Sequence, residues 1–388
     1  MSQAILIRLT PPKRVVTGTT AGATKHSMLS GPTKKLWFAR RARKDEVVSS
    51  LDPSKLFRTW SWNLAVKRLG LLVVVPFLFH GLVTTCAAQN PARPKAAPGR
   101  TLGGKQLWTD HLVFQGWRIQ RYVITGHHRL LDEQNRRQAW GSFEHCRKEF
   151  DRLRGSLPIA KLKPRVVITL HGLGRSRQSM KGLGEFLKAN DDVDVVNVSY
   201  ASTRDGIAAH AKALKDVISG LDEVKQVDFV GHSLGNLVIR RYLHDQLQAR
   251  SPHVGPRVGR IVMLAPPNGG AQMAERMQNI GLFHFLVGTS GSELAREWNL
   301  VQQTLATPKQ EFGVIAGDVN KPQDGNPLID GPDDLVVSVA ETKLMGARDF
   351  LVVLAMHTFI MDQKPVREAV LMFLRNGYFV SEQKRRPI

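Results

Sequence analysis

Six short apolar runs, at residues 166–170, 193–198, 227–230, 260–264, 312–316 and 350–354, limit this chain's architecture more than any other feature. Within them polar residues do not alternate with apolar ones, as in Val166-Val167-Ile168-Thr169-Leu170 and Phe350-Leu351-Val352-Val353-Leu354. A strand with one wet face reads apolar-polar-apolar, so runs lacking that alternation belong to strands covered on both sides. Helical stretches near 179–189, 206–219 and 237–244 separate the earlier runs. Strands alternating with helices build a parallel sheet whose crossovers cover both faces. The expected class is therefore α/β, a doubly wound, mostly parallel sheet with helices on both faces.

The run at 227–230 continues into Gly231-His232-Ser233-Leu234-Gly235 and then into a helix. A serine at so tight a strand-to-helix turn takes a strained backbone conformation and stands exposed, and side chains two positions to either side would collide. Gly231 and Gly235 remove those side chains. Gly-x-Ser-x-Gly alone is often a solvated turn; the strand before it and the helix after it make Ser233 a candidate nucleophile.

A serine hydroxyl is a poor nucleophile unless a base takes its proton and a third group holds that base. Downstream of Ser233 stand His244, His253, His284 and His357, and His357 alone follows the last apolar run. The preceding loop, Gly331-Pro332-Asp333-Asp334-Leu335, carries two carboxylates. Asp334, nearer the apolar residues that follow, is the candidate acid and Asp333 its substitute. Charge developing on an acyl oxygen also needs backbone donors. Leu234 N–H directly follows the nucleophile. A second donor, Leu173 N–H, lies in His171-Gly172-Leu173-Gly174, the turn after the first run, where glycine lets backbone approach closely. That turn has neither the Gly-Lys-Ser/Thr of a phosphate loop nor a full dinucleotide fingerprint.

Taken with Ala265-Pro266-Pro267-Asn268-Gly269-Gly270 and His357-Thr358-Phe359, these motifs make residues 163–378 resemble the bacterial lipase and esterase branch of the α/β-hydrolase superfamily. The resemblance implies an α/β-hydrolase fold, Ser233 as nucleophile, His357 as base, Asp334 as its orienting acid, and Leu173 and Leu234 as oxyanion donors. Relatives commonly carry Asn-Asp-Gly where this chain has Asp333-Asp334-Leu335, a departure in the loop that holds the acid. The apolar segment 273–305 is expected either to line an acyl pocket as a small cap or to pack as a helix on the core.

The net charge of +22 is unevenly placed. Residues 1–88 hold 14 Lys/Arg against 3 Asp/Glu, which leaves 41 against 30 for the remaining 300. Without aromatic interleaving or zinc-finger spacing this excess does not point to nucleic acid. Residues 1–68 read as a basic, disordered region. Residues 69–88 form an uncharged apolar run behind Lys67-Arg68 and read as a signal peptide or membrane anchor, with cleavage after Ala88 or lipid attachment at Cys86 as variants. A Pro/Ala-rich linker at 89–106 and an N-terminal extension at 107–160, with a strand at 117–124 and a helix at 143–153, precede a catalytic domain at 161–380. His127-His128 and His145-Cys146 lack ligand spacing, and two cysteines make no disulfide framework. The expected protein is an exported serine hydrolase, periplasmic, secreted or membrane-anchored, of small-molecule or lipid carboxylic esters, needing no metal or organic cofactor. The same machinery would serve a thioesterase, amidase or acyltransferase, and a hydrolase-fold binding protein with a vestigial triad is the non-enzymatic alternative.

Overall fold

Each apolar run becomes a strand of one parallel sheet. In chain order these are β5 (Arg165–Leu170), β6 (Asp194–Val198), β7 (Gln226–His232), β8 (Arg257–Leu264), β9 (Phe312–Asp318) and β10 (Asp349–Leu354), arranged β10-β9-β8-β7-β5-β6. All pair in parallel register, for example Ile168 beside Phe229 and Val262 beside Gly313. The computed structural model describes residues 104, 106–249, 255–270, 289–290, 293, 297–319 and 329–388. The basic region 1–68, the apolar run 69–88 with Cys86, and nearly all of the linker 89–106 lie outside the described residues, as does most of the segment 273–305. No described helix is long and apolar enough to cross a membrane.

The missing alternation has a direct cause, because successive strand residues enter two different cores. Val166, Ile168, Leu170, Phe229, Ile261 and Met263 pack with α3 (Ile207–Ser219) and α4 (Leu234–Gln248) on one face. Val167, Val230, Val262, Leu264 and Ile315 pack with α2 (Lys181–Asn190) and α6 (Lys364–Asn376) on the other. Fully burying such a side chain contributes roughly 1.5–3 kcal/mol, so both halves of the strand period are stabilising. Helix α6 opens on Gln363 with Pro365 in its first turn and closes on Gly377 at φ +80°, the left-handed cap that glycine favours. A short helix, α5 (Trp298–Gln303), buries Trp298 under the first face.

The region before the sheet holds more structure than the one strand and one helix read from sequence. It is an antiparallel meander of β1 (Trp108–Phe114), β2 (Trp117–Tyr122), β3 (His128–Leu131) and β4 (Arg137–Gly141), followed by α1 (Phe143–Ser156). Ser142 caps α1 by accepting the His145 N–H at 3.1 Å, with Glu144 in the first turn. Phe114, Trp117 and Phe150 join the α3–α4 core. Buried Asp110 fastens β1 to the chain after β6. Its carboxylate accepts from Ser199 N–H and Gln120 Nε2, both at 2.7 Å, and burial raises its pKa.

Candidate active site

Strand β7 ends at His232 and α4 begins at Leu234, so Ser233 must turn the chain within one residue. It does so at φ +52°, ψ −121°, a conformation that costs a non-glycine residue about 1–3 kcal/mol and persists only where neighbours over-determine it. Those neighbours are present. Ser233 N–H donates to Leu264 O at 2.9 Å, and the buried Asn236 amide donates to the carbonyls of Ser233 and Leu264, each at 3.1 Å. A Cβ on Gly235 would lie 2.6 Å from Leu170 O, and one on Gly231 would lie 2.9 Å from Asn236 N. Both glycines are therefore required by backbone contact, as their spacing implies.

The turn after β5 passes directly over the serine. A Cβ on Gly172 would stand 3.2 Å from Ser233 Cβ and 2.9 Å from His232 Nδ1. Leu173 follows, half-buried, and Gly174 at φ +67° donates its N–H to Ser202 Oγ at 3.0 Å. Leu234 is the first residue of α4, where a backbone N–H has no intrahelical acceptor. The candidate donors thus belong to two segments that meet at Ser233.

The acid and base arrive on the loops after β9 and β10. Asp334 is fully buried and His357 nearly so, at 7% exposure, and His357 Nδ1 lies 2.8 Å from Asp334 Oδ2. A carboxylate accepts, so Nδ1 carries the proton and Nε2 the lone pair. The other carboxylate oxygen, Oδ1, accepts from Val336 N–H at 3.0 Å and Val337 N–H at 2.8 Å, and His357 N–H donates to Asp334 O at 2.9 Å. Gly317 on β9 makes the room, since a Cβ there would sit 2.8 Å from that of Asp334. Asp333 is directed elsewhere, its Oδ1 accepting Leu335 N–H at 2.7 Å. Leu335 takes φ +81°, the left-handed region that the glycine of Asn-Asp-Gly would occupy without strain. Here a leucine carries that strain.

Two further histidines border the site. His232 Nε2 donates to His357 O at 3.0 Å, with the rings 4.9 Å apart. Burial pushes its pKa well below the usual histidine value, and the charge of His357 adds to this. His171 stacks on Tyr200 at 4.2 Å and donates Nδ1–H to Gly172 O at 2.9 Å. Burial lowers its pKa to about 4.

An imidazole oriented by a buried carboxylate, and tied through its own backbone carbonyl to His232, the residue before the strained serine, is suited to proton abstraction from a hydroxyl. Residues 166–371, just over half of the chain, match the alpha/beta hydrolase family. The chain belongs to that family. No curated protein matches this hydrolase. Among solved structures it is similar to a Listeria innocua gene product, with 17% identity, TM-score 0.40, and 57% of this chain against 96% of that one covered. It is similar to Bacillus licheniformis lipase BlEst2 at 17% identity and TM-score 0.43, covering 56% and 93%. Phospholipase PlaB from Legionella pneumophila is similar at 16% identity and TM-score 0.42, covering 55% of the hydrolase and 61% of PlaB.

Several residues that build this hydrolase's site carry no signal in the sequence. His232 is the free position of Gly-x-Ser-x-Gly. Arg240 on α4 reads as a surface residue but is buried, donating to Ala306 O at 2.9 Å and Asn268 Oδ1 at 3.0 Å. Asn268 in turn donates to Thr342 O at 2.9 Å. The Ala-Pro-Pro-Asn-Gly-Gly stretch is the one sequence cue to that link. His127, His128 and Cys146 stand apart from the site. His127 packs on Trp108 and Trp140, and burial pushes the Cys146 thiol up to about 11, against reactivity. No group of ligands suited to a metal occurs among the described residues.

Proposed function

We propose that this hydrolase cleaves carboxylic esters through an acyl-enzyme intermediate, with Ser233, His357 and Asp334 as its triad. In this reading His357 Nε2 takes the Ser233 hydroxyl proton as Oγ attacks the ester carbonyl. The N–H groups of Leu173 and Leu234 stabilise the oxyanion, and the imidazolium returns its proton to the leaving alcohol. Water activated by the same histidine then releases the acid. The observation that carries the proposal is the 2.8 Å contact between buried Asp334 and His357, on the loops after β9 and β10, later in the chain than the Ser233 elbow. An apolar acyl group is favoured by Met356 and Phe359, which flank His357 and are 46% and 47% exposed. The test is Ser233→Ala in the full chain. Hydrolysis of short p-nitrophenyl esters and labelling by a fluorophosphonate probe should both vanish; activity within tenfold of the parent protein would remove Ser233 from its role.

A further inference from the structure

At the far end of α4 from Ser233 lies a cavity of about 310 Å³, walled by α4, the start of β8 and the segment 306–310. Its body is apolar: Leu243, Leu247, Val258 and Pro308 line it, with Leu247 54% exposed. The polar chemistry along its wall has one sign. Arg257 and Lys309 are exposed lining residues, and among the described residues no acidic side chain lines the cavity. The acids on adjoining stretches are already engaged, Asp245 by Arg241 at 2.8 Å and Glu311 by Arg260 and Arg348 at 2.7 and 2.6 Å. Tyr242, also in the wall, is 1% exposed, and its hydroxyl has no hydrogen-bond partner. That hydroxyl has no accessible surface and presents no donor to the cavity, so the charged groups there are Arg257 and Lys309.

We propose that this cavity binds a medium-chain carboxylate, its chain against the leucines and Val258 and its head accepting from the Arg257 and Lys309 side chains. At roughly 30 Å³ for each water-sized atom the space suits about ten heavy atoms, which is the size of octanoate. A mostly apolar pocket with a few convergent polar groups is the usual form of a small-molecule site. The acceptor must carry charge for both cations to contribute, which separates a carboxylate from an alcohol of equal length. The wall is also tied to the helix that begins at Leu234, since Ala306 O accepts from buried Arg240. Occupancy therefore stabilises the segment that braces α4. The inference concerns binding alone and stands or falls separately from the role of Ser233.

The experiment is calorimetric titration of octanoate into the full-length Ser233→Ala protein, with octan-1-ol as the neutral comparison. Saturable binding at one site is expected, with octan-1-ol at least about tenfold weaker. Charge reversal at two exposed positions, Arg257→Glu with Lys309→Glu, should abolish the preference for octanoate. Equal affinity for acid and alcohol, or octanoate binding unaltered by the double charge reversal, would overturn the proposal.

Discussion

Replacing Asp334 by asparagine tests the site more sharply than deleting it. Asp334 Oδ1 accepts two backbone N–H groups, from Val336 and Val337 at 3.0 and 2.8 Å. An asparagine must place its carbonyl oxygen there, because an NH2 group facing two donors would leave all three unsatisfied. Its NH2 then faces His357 Nδ1, at the 2.8 Å position that Oδ2 now holds. Nδ1 becomes the acceptor and the ring proton moves to Nε2, which then has no lone pair with which to act as the proposed base. Where an orienting acid becomes an amide in such triads, the loss in kcat is about ten-thousand-fold, or roughly 5 kcal/mol of barrier. Stability should change by less than about 1 kcal/mol, because both backbone bonds survive. Asp334→Ala differs in both respects. It imposes no wrong tautomer, and it leaves the buried Val337 N–H without an acceptor, at a cost of about 1–3 kcal/mol. Asp333→Asn keeps the bond to Leu335 N–H and should stay within a few-fold of the parent protein. The assay is steady-state hydrolysis of p-nitrophenyl acetate alongside urea denaturation of the same preparations. Asp334→Asn within tenfold of the parent, or a greater loss from Asp333→Asn, would refute the reasoning.

Other outcomes follow from the packing around the site and from two buried histidines. Gly172→Ala would press a Cβ to 2.9 Å from His232 Nδ1 and 3.2 Å from Ser233 Cβ, displacing the turn that carries Leu173 N–H. A loss of about a hundred- to a thousand-fold in kcat is expected, the worth of one oxyanion donor, and a smaller loss than tenfold would remove this turn from the reaction. Burial holds His171 at about 4 and His210 at about 3, below the usual 6.5. Between those values the unfolded chain binds more protons than the folded one, so their contribution to stability is complete above about pH 6.5 and is lost as pH falls. For His171 alone the full effect is on the order of 3 kcal/mol. The urea midpoint should drop between pH 7.5 and pH 5, and a midpoint that holds or rises would contradict the two assignments.

The sheet was legible in the sequence because each of its strands feeds two cores. Ile261 and Met263 enter one and Val262 and Leu264 the other, which erases alternation and leaves a run that can be recognised locally. The meander was largely hidden for the opposite reason. β1 carries Thr109, Asp110 and His111, polar residues whose partners are remote: Ala201 N–H donates to Thr109, Ser199 N–H to Asp110, and His111 pairs with Asp216 at 2.8 Å. Composition reads such residues as surface until those partners are in place. The same limit applied within the site. Strand order marked out Ser233 and His357, but the choice between Asp333 and Asp334 rests on a leucine at φ +81° and on the space above Gly317, neither of which has a local signature.

The crowding of histidine around Ser233 has an electrostatic logic. The reading proposed here requires one imidazole to become cationic beside others, and like charges within a few ångströms in a buried site oppose one another strongly. His232 lies 4.9 Å ring to ring from His357 yet donates to the carbonyl of that same residue, which a neutral ring does as well as a charged one. Its Nδ1 is buried without a partner, so a second proton there would meet no acceptor. His171 donates through Nδ1 to Gly172 O and accepts from Tyr200 N at 3.4 Å through Nε2, an arrangement that a doubly protonated ring cannot make. His357, by contrast, has a carboxylate at 2.8 Å on the side away from its lone pair. Two of the three rings are thus fixed as neutral scaffolding by what they donate to, and the positive charge has one favourable place to form. Exchanging His232 for a residue that cannot donate would free the His357 carbonyl without altering the carboxylate contact. Its effect should therefore appear in kcat, through the position of the ring, and not in the choice of base.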